Sequence, residues 1–147
     1  MQQKQSEFKE KVLDLRRVTR VMAGGKRMRF RATVVIGNEK GRIGIGVGKG
    51  LDVAQSVDKA KTSAKKNLIE IKLKNKTIPH EVDAKFSAAR ILIKPAKSGH
   101  GLKAGGSART VLLLAGVRDA TAKCLGGTKN KLTNALATLE ALKKIKI

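Results

Sequence analysis

A chain of 147 residues carries 33 lysines and arginines against 11 aspartates and glutamates, a formal net charge of +22. Self-repulsion on that scale opposes compaction unless a polyanion relieves it, and nucleic acid leads because Lys and Arg displace counterions condensed on phosphate. A hydrophobic content of 41% excludes a purely disordered basic tail. Phe8, Phe30 and Phe86 are the only aromatic residues. That argues against single-strand binding by base stacking and against an aromatic-anchored basic helix on an acidic membrane. Cys124 is the single cysteine, so no internal disulfide forms and a reducing compartment is expected. No run is long enough to span a membrane and residues 1–10 lack the apolar core of a secretion signal. The expectation is a soluble cytoplasmic protein of one ordinary domain or two small ones, without cofactor, metal or small-molecule substrate.

Residues 1–10 are polar and read as a flexible N-terminus. Residues 12–22 read as an arginine-rich strand, and Ala23, Gly24, Gly25 and Lys26 as a turn. From 29 to 36 the chain alternates, with Phe30, Ala32, Val34 and Ile36 on a core face and Arg29, Arg31 and Thr33 on the other. Residues 37–41 read as a hairpin loop. The next strand alternates Ile43, Ile45 and Val47 with Gly44, Gly46 and Gly48. Asp52 with Gln55 three residues on marks a helix start, and Val53, Val57, Ala60, Ala64, Leu68 and Ile71 form its apolar stripe. Three antiparallel strands and a helix thus make a first domain over 11–74.

A second α+β domain over 75–147 follows. Residues 77–82 and 89–93 read as strands, and Pro95 opens a glycine-rich loop. Ser107 caps a helix that Gly116 stops, 117–125 read as a strand, and Thr128 caps a last helix with Leu132, Ala135, Leu136, Leu139 and Leu142 inward.

Arg16, Arg17, Arg20, Lys26, Arg27, Arg29 and Arg31 stand in one stretch without an acid. Unpaired, they repel one another, which favours phosphate contact over a merely solvated face. Gly24 and Gly25 let backbone approach a partner, and arginine offers a bidentate fork to phosphate. Arg42 and Lys49 at the ends of the third strand come next, with Lys97 and Lys103 as a smaller basic share in the second domain. The row Gly44, Gly46 and Gly48 has two readings that spacing leaves open: close approach of an RNA backbone, or close packing against the helix.

Three segments carry a resemblance: VTRVMAGGKRMRF at 18–30, GRIGIGVGK at 41–49 and PAKSGHGLKAGGS at 95–107. Together they resemble the signatures of the bacterial-type small-ribosomal-subunit protein five family, in its order and spacing from about residue 10 onward. The resemblance implies an N-terminal domain like double-stranded-RNA-binding folds and a C-terminal α+β domain with a left-handed βαβ crossover. It implies a structural part of the small ribosomal subunit that binds its ribosomal RNA near the decoding region and the messenger entry path, supporting assembly and translational accuracy. Implied partners are that RNA, ribosomal proteins four and eight of the small subunit, and messenger RNA near the entry path. The chain ends at Ile147, without the longer tail of some members, and Lys97, His100 and Lys103 make its second glycine loop more basic than the family leads one to expect.

Two other readings fit parts of the chain. A free-standing double-stranded-RNA binder shares the chemistry of the first domain. The 95–108 loop also resembles the phosphate loop of small-molecule kinases, but only Asp119 and Glu140 lie downstream to hold magnesium or act as base. His80 and His100 are isolated, and Cys124 has no partner base, so all three read as structural.

Overall fold

The computed structural model describes residues 7–146. Strands β1 (Lys9–Met22), β2 (Gly25–Gly37) and β3 (Arg42–Gly50), helix α1 (Val53–Lys66) and a short strand β4 (Ile69–Glu70) make the first unit. Its antiparallel sheet has the order β1-β2-β3-β4, with α1 across one face. The second unit contains β5 (Val82–Phe86), β6 (Ala89–Pro95), β7 (Leu102–Lys103), α2 (Gly106–Ala115), β8 (Ala120–Cys124) and α3 (Lys131–Lys143). Its sheet order is β5-β6-β8-β7, with β7 parallel to β8 and α2 between them in sequence.

Register sorts the first sheet into two faces. Ala32, Val34 and Ile36 pair with Gly48, Gly46 and Gly44 and lie under Ala60 and Ala64 of α1. A Cβ on Gly46 would overlap the Ala60 carbonyl oxygen and the Ala64 backbone, and one on Gly48 would overlap Lys59, Ala60 and Ser56. The glycine row therefore seats the helix, which decides between the two open readings in favour of close packing. Small residues on both sides let helix and sheet backbones come close.

The opposite face is not simply solvated, as alternation had suggested. Thr33 and Val35 are as buried as their neighbours, and Val35, Ile43 and Ile45 join a core that includes Val111, Leu112 and Leu114 of α2. Helices α2 and α3 lie against the first unit on one side and cover the buried faces of β5, β6 and β8 on the other. The layers run α1, first sheet, α2 with α3, second sheet. Seven of the ten residues of α2 are buried, as a helix packed on two sides requires. One core thus spans both units, and the smaller cluster under α1 is the second.

The β2–β3 turn locks the units together. Carbonyls at a helix C-terminus need outside donors. Leu113 accepts from Gly116 N and Leu112 from Val117 N, while Leu114 accepts from Glu39 N at 3.0 Å and Ala115 from Gly41 N at 3.0 Å. Asn38 Oδ1 shapes that turn by accepting from Lys40 N and Arg42 N. The Glu39 carboxylate pairs with Lys9 at 3.1 Å and with Arg118 at 3.2 Å.

Several local expectations shift. Strand β1 starts at Lys9, before residue 12, and Phe8 packs on the α1 cluster; residues 1–6 lie outside the described residues. Helix α1 stops at Asn67, so Leu68 and Ile71 pack from beyond it and β4 pairs with β3 instead. Asp52 caps α1 by accepting from Val53 N, but Gln55 reaches back to Leu51 N rather than to the cap residue. Residues 77–82 are not a strand: Pro79 offers no amide donor, and pairing begins at Val82. Gly105 and Asn130, not Ser107 and Thr128, are the caps of α2 and α3; Ser107 is buried in the first turn, and Thr128 accepts from Asn130 N. The 117–125 strand is shorter, because Val117 still closes the end of α2.

Candidate nucleic-acid interface

Strand β3 ends at Gly50, opposite Phe30. Beyond that point β1 and β2 continue alone as a two-stranded ribbon, through pairs Val18↔Arg29, Thr19↔Met28, Arg20↔Arg27, Val21↔Lys26 and Met22↔Gly25. At 3.3–3.4 Å per residue these pairs project about 17 Å past the sheet. Gly24 at φ 85° and Gly25 at φ 149° close the ribbon, and a Cβ at either would meet nothing within 4 Å. Glycine is required here by backbone conformation, and the space around it stays open.

Residues opposite each other in a sheet share a face. Arg16, Arg20, Arg27, Arg29 and Arg31 fall on one face of the ribbon, together with Lys49. Arg17 and Lys26 fall on the other, so the seven cations do not form one patch. On the richer face Arg16 stands opposite Arg31, Arg31 opposite Lys49, and Arg20 opposite Arg27. Like charges directly opposed destabilise a sheet. Arg16 pairs with Asp14 at 2.8 Å; the other five cations of this face have no ion pair among the described residues. Val18, Thr19, Arg20, Arg27, Arg29 and Lys49 surround a hollow of about 280 Å³.

Arg42 does not join them. It lies at the far end of β3, on the α1 face, 4.0 Å from Glu70. Lys97 and Lys103 belong to the segment after β6 in the second unit, Lys103 on β7. Sequence reading missed that Lys49 completes the Arg16–Arg31 row; a strand-pairing register, invisible to local periodicity, was the missing signal.

The glycine loop ahead of α2 offers no kinase site. A hollow of about 450 Å³ at that helix end is lined by Lys11, Lys129, Lys131, Ser107, Asn134 and their neighbours, with no carboxylate among them. No group of three or more His, Cys, Asp or Glu side chains that could hold a metal occurs among the described residues. Cys124 is free and half-buried rather than fully buried. His80 accepts from Lys146 N and His100 is exposed. No helix among the described residues is long and apolar enough to cross a membrane.

An α+β protein of two units on a shared core, presenting an arginine ribbon with no acid between Arg16 and Arg31, has the features of a nucleic-acid-binding protein. Comparison with known proteins narrows it. Residues 8–72 match the family described as ribosomal protein S5, N-terminal domain, and residues 84–147 match ribosomal protein S5, C-terminal domain. The chain is 50% identical to small ribosomal subunit protein uS5 of Thermosynechococcus vestitus, over 95% of this chain and 80% of that protein. It is 46% identical to uS5 of Campylobacter jejuni, over 95% of each, and 46% identical to uS5c of Cyanophora paradoxa, over 97% of this chain and 85% of that protein. The chain belongs to the ribosomal protein S5 family, an RNA-binding family of translation and not a family of enzymes.

Proposed function

We propose that the chain is a structural constituent of the small ribosomal subunit, and that the β1–β2 ribbon with Lys49 neutralises phosphates of small-subunit ribosomal RNA. The observation that carries this is the run of opposed like charges, Arg16–Arg31–Lys49 and Arg20–Arg27, on a ribbon with no acid after Asp14. A polyanion relieves the repulsion that folding creates there. The open glycine tip adds backbone amides at the end of the ribbon. Placement near the decoding region and the messenger entry path, contact with ribosomal proteins four and eight, and support of assembly and accuracy rest on family membership and on the 18–30, 41–49 and 95–107 signatures. Lys97 and Lys103 are proposed as a secondary contact; Arg42, held near Glu70, is the weakest of the set. The compartment is that of the ribosome served, which for a bacterial type is the cytoplasm.

Binding to small-subunit ribosomal RNA, measured across salt concentrations, tests the reading. Replacing Arg27 and Arg29 by Ala should flatten the plot of log affinity against log salt by about one unit each. An unchanged slope removes the ribbon from the interface. Sedimentation separates the integral role from a free-standing binder: the chain should travel with small subunits in high salt, and recovery only in the soluble pool would refute the assignment.

A further inference from the structure

Among the described residues eight large apolar side chains are exposed, and six lie on β1, on β2 or just after β3: Val12, Leu15, Val21, Met22, Met28 and Leu51, of which Met22, opposite Gly25, falls on the arginine face. Only Phe86 and Leu125 lie elsewhere. Such concentration distinguishes a patch from the scattered apolar exposure any surface shows.

Register orders them. Leu15, Val21 and Met28 lie on the face opposite the Arg27–Arg29–Lys49 hollow, with half-buried Phe30 between them. Leu51 follows Gly50, which pairs with Phe30, and so adjoins the same strip. Helix α1 packs on this face over Ala32, Val34 and Ile36 and leaves the rest uncovered. Val21 is 77% exposed and Leu51 64%. On the ribbon this face also contains Arg17 and Lys26 and no acid; Asp52, next to Leu51, is engaged as the cap of α1.

We propose that this second face is a contact surface for RNA sugars and base edges, so that the ribbon acts as a wedge between two RNA segments. One segment lies with its phosphates on the arginine face; the other meets Leu15, Val21 and Met28 in a shallow groove, with Arg17 and Lys26 on its phosphates. The occupant is RNA rather than protein for two reasons. The only charges on this face of the ribbon are positive, and it is the reverse side, across one layer of backbone, of the proposed phosphate-binding face. An RNA minor groove is wide and shallow and displays riboses and base edges, and apolar side chains are known to enter nucleic-acid minor grooves, as the wedges of DNA-bending proteins do. The inference rests on the proposed RNA interface, and its contribution differs in kind: apolar contact releases no counterions.

The test uses the full chain and small-subunit ribosomal RNA over a range of salt, comparing wild type, Val21→Ser with Met28→Gln, and Arg27→Ala with Arg29→Ala. Both apolar positions are exposed, so the fold should persist, and circular dichroism with a urea midpoint checks it. The apolar pair should lower affinity about tenfold at every salt concentration with the slope unchanged, whereas the arginine pair flattens the slope. Wild-type affinity in the apolar variant overturns the wedge while leaving the arginine interface standing. A slope already flat in the wild type overturns the underlying interface instead. Intact RNA binding with loss of the apolar variant from salt-washed subunits would mean that a protein covers the strip, which also overturns the wedge.

Discussion

Replacing Gly46 by Ala separates two accounts of the glycine row by stability alone. A Cβ at Gly46 would overlap the Ala60 carbonyl oxygen and the Ala64 backbone nitrogen, and lie 3.0 Å from the Ala64 Cα. These are backbone atoms of α1, so no side chain can swing aside. Gly44 and Gly48 touch the same helix one step either way, which blocks a local pivot. Overpacking of this kind costs about 1–3 kcal/mol. Against it, Ala in a strand interior gains roughly 0.5–1 kcal/mol over Gly from the smaller entropy loss on folding. The overlap being with backbone puts the cost near the top of its range, so the net loss should be about 2 kcal/mol. With a urea slope of about 2 kcal/mol per molar, the midpoint of the free protein should fall by about 1 M. Urea unfolding followed by circular dichroism, without RNA, measures this. A midpoint unchanged within about 0.2 M, together with weakened RNA binding, would refute the packing argument and restore the glycine row to the interface.

Gly116→Ala should destabilise by about 2 kcal/mol or more in the same assay, because Gly116 has φ 98° and a Cβ there would overlap the carbonyl of Glu39, the residue whose N–H links the two units by donating to Leu114 O. Asp52→Ala should cost about 1 kcal/mol through the lost acceptor for Val53 N, and Asp52→Asn should recover most of it. The hydrogen bond to Glu10 is the largest cause holding the Lys61 ammonium above its ordinary pKa, with the charges of Glu10 and Asp58 adding to it and partial burial opposing. A raised lysine stabilises fully below its unfolded pKa and loses that contribution as pH rises through the folded one. Urea midpoints should therefore decline above about pH 10, and Glu10→Gln should flatten the decline.

Much of the fold could be read from residue types because the interactions were local. The strand from Phe30 to Ile36, the Asp52 cap and the Gly116 stop each depend on neighbours within a few residues, and each is present. The three signature segments made the family legible as well, since they are stretches of contiguous sequence. Misreadings arose where distant residues decide. Thr33 and Val35 lie on the arginine side of β2, yet α2, some seventy-five residues away in sequence, buries them; polarity along one strand contains no record of that. Leu68 and Ile71 kept helical spacing, but pairing with Arg42 and Ile43 drew residues 69–70 into the sheet.

What the amino-acid sequence determined by itself was the demand for a polyanion and where along the chain that demand is concentrated, because charge is counted residue by residue. Tertiary structure alone decided its geometry. Where β3 stops, the ribbon is freed from the sheet, and strand register divides its cations five to two between opposite faces and adds Lys49 to the richer one. Register is a relation between strands, set by packing under α1 and above α2, and no single segment contains it.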